Sequence, residues 1–235
     1  MTTAFYILLA VAPSIVWLMF YLQKDKHPEP NRMVIKIFFW GIMAPLVALG
    51  FEILYQEGLK PLSLQNITII IVGGYAFIEE FVKYLVIKFK VLRNPEFDEP
   101  IDAMLYMIIA ALGFAAAENI ILLTNLSWAG ESTKYILAIT AVRFLGAVLL
   151  HALASAIVGY FIAYSLCLKH ERKSFVWLGI IIATCLHAVY NYIIMKVTFN
   201  DYVAIGLLVI LLGSMGIVVS AALNKLNRLR SICKI

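Results

Sequence analysis

Two adjacent carboxylates and a lysine interrupt one of the most apolar parts of the chain. The stretch FIEEFVKYL places Glu79, Glu80 and Lys83 between ITIIIVGGYAF and YLVI. Glu79 and Lys83 are four residues apart, so on a helix they share one face, while Glu80 is turned about 100° away. The spacing predicts a Glu79–Lys83 ion pair and leaves Glu80 in need of a partner from another element.

Two histidines lie in other apolar runs. In HAVYN, His187 and Asn191 are four residues apart and share a helix face, and Arg143 and His151 are two steps of four apart. A single buried histidine is often held by nothing more than a backbone carbonyl. Counted from the ends of their runs, however, both histidines lie at the same depth as the glutamate pair, so one cluster is possible.

A further polar pair follows a series of small residues in GFAAAEN. Glu118 and Asn119 lie nearer the end of their run, and the preceding glycine and alanines favour close helix packing. Two interpretations stay open for this pair: a polar contact between helices, or a part in the same cluster.

These residue types suit hydrolysis. Two histidines and a carboxylate can hold a catalytic zinc with one position open, and a second carboxylate can act as general base. The candidate ligands for Zn²⁺ are His151, His187 and Glu80, which would converge from three helices because no HExxH motif is present. Without a metal, the same groups could activate water and stabilise an oxyanion. The three cysteines lack CxxC spacing and indicate no thiolate site.

The elements that carry these residues are those of a membrane protein. Of 235 residues, 63% are hydrophobic and 14% charged, and the mean hydropathy is +0.92, whereas an ordinary soluble domain is about 45–50% apolar. We expect residues 1–235 to form one membrane-embedded, all-α domain. At about 20 apolar residues per crossing, the chain predicts about seven transmembrane helices. They are 3–22, 33–55, 64–87, 101–125, 135–166, 174–195 and 202–223.

Burial in lipid explains why the polar groups should meet. An unpaired charged side chain at the middle of a bilayer costs at least about 2.5–3.5 kcal/mol, so intramembrane ionisable groups pair with one another and usually serve a function.

The basic residues predict an orientation. Fourteen lie in the segments 23–36, 88–100, 167–174 and 225–234, against three, Lys60, Lys134 and Lys196, in the alternate connections. Because lysine and arginine concentrate on the cytoplasmic side, the amino terminus is expected outside and the carboxyl terminus in the cytoplasm. The net charge of +5 therefore reflects topology and gives no indication of nucleic-acid binding.

Taken in order, the motifs resemble the PrsW family of intramembrane proteases, which are related to the CAAX prenyl endopeptidases. They are EEFVK (79–83), FDEPIDAMLYMIIAALGFAAAEN (97–119), HA (151–152) and HAVYN (187–191). The resemblance covers about residues 25–195, and the first and last spans match only as hydrophobic segments. In the CAAX endopeptidases an arginine follows the acid pair at a slightly longer spacing, where this chain has Lys83.

The resemblance implies a CAAX-protease-like core in a multi-pass protein of the bacterial cell membrane. It also implies a site-1-type protease, which cuts the extracytoplasmic part of a single-pass anti-sigma factor and so starts the release of a sigma factor in a stress response. The partners would be that substrate and the lipid bilayer.

Site residues carry over position by position. Glu79 and Glu80 match the paired acids, His151 the second motif and His187 the third, and Asn191 matches a position where relatives use Asn or Asp. The predicted roles are general base for Glu79 or Glu80, metal binding or water positioning for the histidines, and oxyanion stabilisation for Asn191. The supporting residues would be Lys83, Glu118, Asn119 and Arg143.

Two other classes fit the same polar cluster. An ion- or proton-coupled carrier could use the glutamates and histidines as a relay, and proton-flux measurements in vesicles would distinguish it. A membrane chaperone or scaffold would keep its function after substitution of all four central residues.

Overall fold

The computed structural model describes residues 3–64, 67–167, 172–196 and 202–228, and these ranges are helical apart from short connections. The predicted all-α class and helical bundle are confirmed. The described ranges hold eight α-helices: α1 (Thr3–Leu22), α2 (Asn31–Leu59), α3 (Thr68–Lys90), α4 (Pro100–Trp128), α5 (Thr133–Leu145), α6 (Ala147–Cys167), α7 (Arg172–Lys196) and α8 (Tyr202–Leu226). Among the residues used to predict topology, Lys169, Arg230 and Lys234 lie outside the described ranges, as does Cys233.

Six helical segments of the described chain are long and apolar enough to cross a membrane, with α5 and α6 together forming one of them. The helix α3, which corresponds to the third predicted span (64–87), is not one of these six segments, and its charges set it apart. Its 23 residues include Glu79, Glu80 and Lys83, all of which are buried. Because α3 packs against α2 and α7, these charges are enclosed by protein rather than by lipid.

The helix α4 is the centre of the bundle. Every residue from Pro100 to Ala117 is buried, and α4 packs against α1, α2 and α6. A side chain on Gly113 would collide with the backbone of Phe38 and Gly41 in α2. The absence of a side chain therefore lets the two helices touch backbone to backbone, as small residues do in membrane bundles.

The first turn of α4 is closed by its own acidic residues. The Asp102 carboxylate accepts hydrogen bonds from the backbone N–H groups of Asp98, at 3.0 Å, and Glu99, at 2.8 Å. Free N–H groups at a helix start favour such acceptors, and this capping fixes where α4 begins.

The predicted span 135–166 corresponds to one apolar segment, Thr133–Leu166, but its helix is interrupted at Gly146. The backbone there has φ −106° and ψ −95°, which is not helical. The hydroxyl of Tyr190 lies where a side chain at Gly146 would project, and Trp17 donates its indole N–H to the carbonyl of Phe144 at 2.9 Å. Side chains from α7 and α1 thus replace part of the helical packing and hydrogen bonding at the break.

Candidate active site

The charges of α3 meet in the middle of the bundle, where Lys83 pairs with both glutamates. The Lys83 ammonium donates to Glu80 Oε1 at 2.8 Å and lies 3.8 Å from Glu79 Oε2. The predicted Glu79–Lys83 ion pair is therefore present, but Glu80 is the closer partner of the lysine. The long lysine side chain can reach a residue three or four positions back, and its third contact, 2.8 Å from His151 Nδ1, favours the position beside Glu80.

The two histidines come from α6 and α7 and face each other. Their ring centroids are 5.0 Å apart at an interplanar angle of 87°. His151 lies between Lys83 and Glu118, with its Nδ1 2.8 Å from the ammonium and its Nε2 3.0 Å from Glu118 Oε2. Because an ammonium can only donate, Nδ1 is the acceptor and Nε2–H donates to Glu118.

His187 is held in the same manner by the other glutamate. Its Nδ1 lies 3.0 Å from Glu80 Oε1 and donates to that carboxylate. The remaining nitrogen, Nε2, then carries a lone pair and lies 3.7 Å from Glu79 Oε2. That Glu79 oxygen is buried and makes no hydrogen bond to any described residue, although the Lys83 ammonium lies 3.8 Å from it. With His187 in this tautomer, Nε2 and the Glu79 oxygen are two acceptors that face each other with no hydrogen-bond donor between them.

Glu118, which had two open interpretations, contacts the cluster, whereas Asn119 serves mainly to join helices. Arg143 from α5 lies 3.2 Å from Glu118 Oε2 and also donates to Asn119 Oδ1. Asn119 donates to the carbonyl of Ala10 in α1 at 3.2 Å. Although the break at Gly146 separates Arg143 from the helix of His151, both residues reach Glu118.

Ser155 is a part of the cluster that the sequence analysis missed. It is fully buried and donates from Oγ to Glu80 Oε2 at 2.9 Å. The sequence spacing could have identified Ser155, because it follows His151 by four residues and so lies on the same face of α6. Phe114 of α4 also contacts the cluster, with the Lys83 ammonium 4.4 Å from its ring centroid.

Asn191 stands apart from these contacts. It lies one turn after His187 on α7 and is half-buried, and it makes no hydrogen bond to any residue in the described part of the chain. Its predicted role at the oxyanion stays a prediction.

One group of residues is close enough together to hold a metal ion, and it contains Glu79 and the two predicted histidines. Among the described residues, only Glu79, His151 and His187 offer three ligand atoms within 4.8 Å of one another. The unpartnered oxygen of Glu79 fits a cation, whereas both oxygens of Glu80 already accept hydrogen bonds. Each histidine also has a carboxylate on one ring nitrogen, which is how metal-binding histidines are usually oriented. The other nitrogen of His151 accepts a hydrogen bond from the Lys83 ammonium at 2.8 Å, so an ion bound there would replace that hydrogen bond. The residue types fit a metal ion, and by position it is Glu79 that joins the two histidines.

Comparison with known proteins gives one consistent result. Residues 29–221 match a family model described as PrsW family intramembrane metalloprotease, so the match continues into α8, beyond the limit of about residue 195 predicted from the motifs. Curated relatives named Protease PrsW include that of Geobacillus kaustophilus, 30% identical over 79% of this chain and 77% of its own length. Those of Oceanobacillus iheyensis and Bacillus subtilis are both 28% identical over 78% of this chain and 80% of their own. No solved structure matches the chain.

Proposed function

The chain belongs to the PrsW family of intramembrane metalloproteases, and we propose that its substrate is a single-pass anti-sigma factor. It is a multi-pass membrane protease, and family membership favours hydrolysis over a carrier or a scaffold. The cut would fall in the extracytoplasmic part of the substrate and would start the release of a sigma factor in a stress response. The likeness of the motifs to that family supports this substrate class.

The reaction centre is assigned to Glu79, His151 and His187. The single observation that carries this assignment is the unpartnered Glu79 oxygen facing the lone pair of His187 Nε2 at 3.7 Å. Two acceptors in this arrangement need a cation or a donor such as water between them. Both the predicted metal ion and the attacking water satisfy that need.

Glu79 is the better candidate for accepting the proton of the attacking water. A carboxylate has two oxygens, so Glu79 can hold an ion with one and carry a proton on the other. Glu80 instead positions the site, because it accepts hydrogen bonds from Lys83, His187 and Ser155. Glu118 positions His151 in the corresponding manner, and Asn191 is kept as a candidate for the oxyanion.

The metal assigned to this site is zinc. A set of two histidines and one glutamate is an established catalytic zinc ligand set, and Glu79, His151 and His187 would hold the ion. When bound, zinc would polarise the substrate carbonyl and lower the pKa of a bound water.

The proposed orientation has the amino terminus outside and the carboxyl terminus in the cytoplasm. The connections 23–30 and 91–99 share one end of the bundle with Asn227, since His27 Nδ1 lies 2.9 Å from Glu99 Oε1 and Asn227 donates to the Lys24 carbonyl at 3.1 Å. That end carries most of the basic residues, which supports a cytoplasmic location.

The test combines cleavage with metal analysis on detergent-purified protein. The substrate is an epitope-tagged single-pass anti-sigma factor from the same genome. Glu79→Gln and His187→Ala are expected to lower the cleavage rate by about 10²–10⁴-fold, which is the usual effect of removing a general acid or base. Both variants should also lose the zinc measured by elemental analysis. The matched control is Glu57→Gln, which changes an exposed glutamate at the end of α2.

Each part of the proposal has its own contradicting result. If Glu79→Gln and His187→Ala cleave the substrate at the full rate, the assignment of the reaction centre is wrong. If both variants keep their full zinc content, the assignment of the metal ligands is wrong, whatever their activity.

A further inference from the structure

A groove between α5, α7 and α8 opens beside the candidate active site. Its volume is about 580 Å³, and its lining includes Ile139 and Arg143 of α5, Tyr190 and Ile194 of α7, and Val209 of α8. The lining is apolar except for Arg143 and the Tyr190 hydroxyl. A cavity of this size and composition is typical of a ligand site.

Arg143 connects the groove to the reaction centre. It lines the groove and also binds Glu118, which in turn binds His151 at 3.0 Å. A chain segment lying in the groove would therefore contact Arg143, which reaches His151 through Glu118. Another groove, between α6, α7 and α8, has Val218 and Lys225 in its lining and includes no residue of the cluster.

We infer that this groove binds the membrane segment of the substrate next to the peptide bond that is cut; this rests on the proposed function. A protease acts on extended chain, so the end of the substrate helix that leads to the extracytoplasmic cut must unwind, and its carbonyl groups then lose their helical partners. Inside a membrane such groups need donors from the protein. An apolar groove with donors at its inner wall suits a partly unwound apolar helix.

Arg143 supplies those donors. A guanidinium has five N–H groups, and Arg143 uses one for Asn119 and one for Glu118, which leaves three for an incoming carbonyl oxygen. Arg143 follows the first residue of α5 by ten positions, roughly 15 Å along the helix. At that depth the ligand is a peptide rather than a lipid phosphate, which belongs at the bilayer surface.

Neighbouring residues of α8 offer a matched test. Val209 lines the groove and Ile210 does not, yet they are almost equally exposed, at 66% and 68%. A photoreactive benzoylphenylalanine is placed at Val209, Ile210 or Val218 of full-length protein carrying Glu79→Gln, and the tagged anti-sigma factor is co-expressed. Val209 is expected to give several-fold more cross-linked substrate than either control position.

A steric variant separates binding from chemistry. Val209→Trp should raise KM for the membrane-bound substrate and leave kcat nearly unchanged, since it narrows the groove without touching the cluster, whereas Ile210→Trp should change neither. Arg143→Lys keeps a charge beside Glu118 but loses the planar fork of donors. We expect it to lower kcat while cross-linking from Val209 stays unchanged.

The outcomes distinguish this inference from the proposed function. If the anti-sigma factor is cleaved but cross-links equally from Val209 and Ile210, the groove is not the binding site of the membrane segment, while the substrate assignment still holds. No cleavage by the unmodified protein overturns the assigned substrate. Strong cross-linking from Val209 alone, in that case, would still support the groove as a docking site for a membrane segment.

Discussion

Glu80 is held by three neighbours from three helices: Lys83 of α3, Ser155 of α6 and His187 of α7. A fully buried carboxylate needs such partners, since an unsatisfied charge in the interior is costly. Its position in turn fixes the ring of His187, whose other nitrogen faces Glu79. At the scale of single residues, these hydrogen bonds support the proposal that Glu80 positions the site while Glu79 meets the substrate.

Ser155→Ala tests this arrangement. Losing a hydrogen bond to a charged group costs about 1.5–3 kcal/mol, and we expect cleavage to fall by about tenfold for each 1.4 kcal/mol that is lost from the transition state. The control is Ser165→Ala, because Ser165 is also buried in α6 and donates to a backbone carbonyl, that of Ile162. Equal losses in both variants would contradict a specific role for Ser155.

Residue types and spacing were sufficient to predict that the glutamates of α3 and the two histidines gather, but they missed Ser155 and did not predict which glutamate lies closer to Lys83. Lysine has a long flexible side chain, so helix spacing alone permits contact with Glu79 or Glu80. Its position is decided by His151, which is 68 positions away in the sequence and 2.8 Å away in the structure. The choice between the two glutamates as metal ligand depends on the same long-range contact.

At the scale of elements, the break between α5 and α6 predicts a sensitive position. Gly146→Ala would bring a methyl group against the Tyr190 hydroxyl and 2.9 Å from the Val142 carbonyl oxygen. Overpacking of this kind costs about 1–3 kcal/mol, which should appear as a lower thermal unfolding midpoint in detergent. Adding Tyr190→Phe removes the hydroxyl and should restore part of the loss.

Gly206→Ala is the control for this position, because a methyl group on Gly206 of α8 meets open space. If Gly146→Ala and Gly206→Ala have the same unfolding midpoint, the contact with Tyr190 does not determine the break in the helix. The sequence offered no means of locating this break. A lone glycine in an apolar run is compatible with a continuous helix, and the contacts from Trp17 and Tyr190 appear only in the folded bundle.

The connection between α1 and α2 predicts a pH dependence. Burial, together with a hydrogen bond to Asp102, raises the pKa of Glu29 from 4.5 to about 8. The folded chain therefore holds this proton more tightly than the unfolded chain. The resulting stabilisation is complete below about pH 4.5 and is lost as the pH rises through about 8.

Glu29→Gln keeps a neutral donor at this position, so its unfolding midpoint should change less than that of the unmodified protein between pH 5 and about 8.5. The comparison variant is Glu131→Gln, which alters an exposed residue in the connection before α5. Identical pH profiles for the unmodified protein and Glu29→Gln would show that Glu29 does not hold the proton.

At the scale of the whole molecule, the orientation can be tested by labelling. After replacement of the native cysteines by serine, single cysteines are introduced at Lys26, Lys60 and Lys134, which are all exposed. A membrane-impermeant maleimide added to intact cells should label Lys60→Cys and Lys134→Cys, but label Lys26→Cys only after lysis. The opposite labelling pattern would show that the topology is reversed. The groove between α5, α7 and α8 would then open toward the cytoplasmic side.

The enclosure of α4 has a consequence for biogenesis. Residues 100–117 are surrounded by other helices in the finished protein, yet α6 is synthesised later and cannot protect them while the nascent chain is still short. Until α6 has been synthesised, the alanine-rich face of α4 lacks its helix partner and contacts lipid or an insertion factor instead. Nascent chains interrupted before residue 147 would thus expose a surface suited to quality-control recognition.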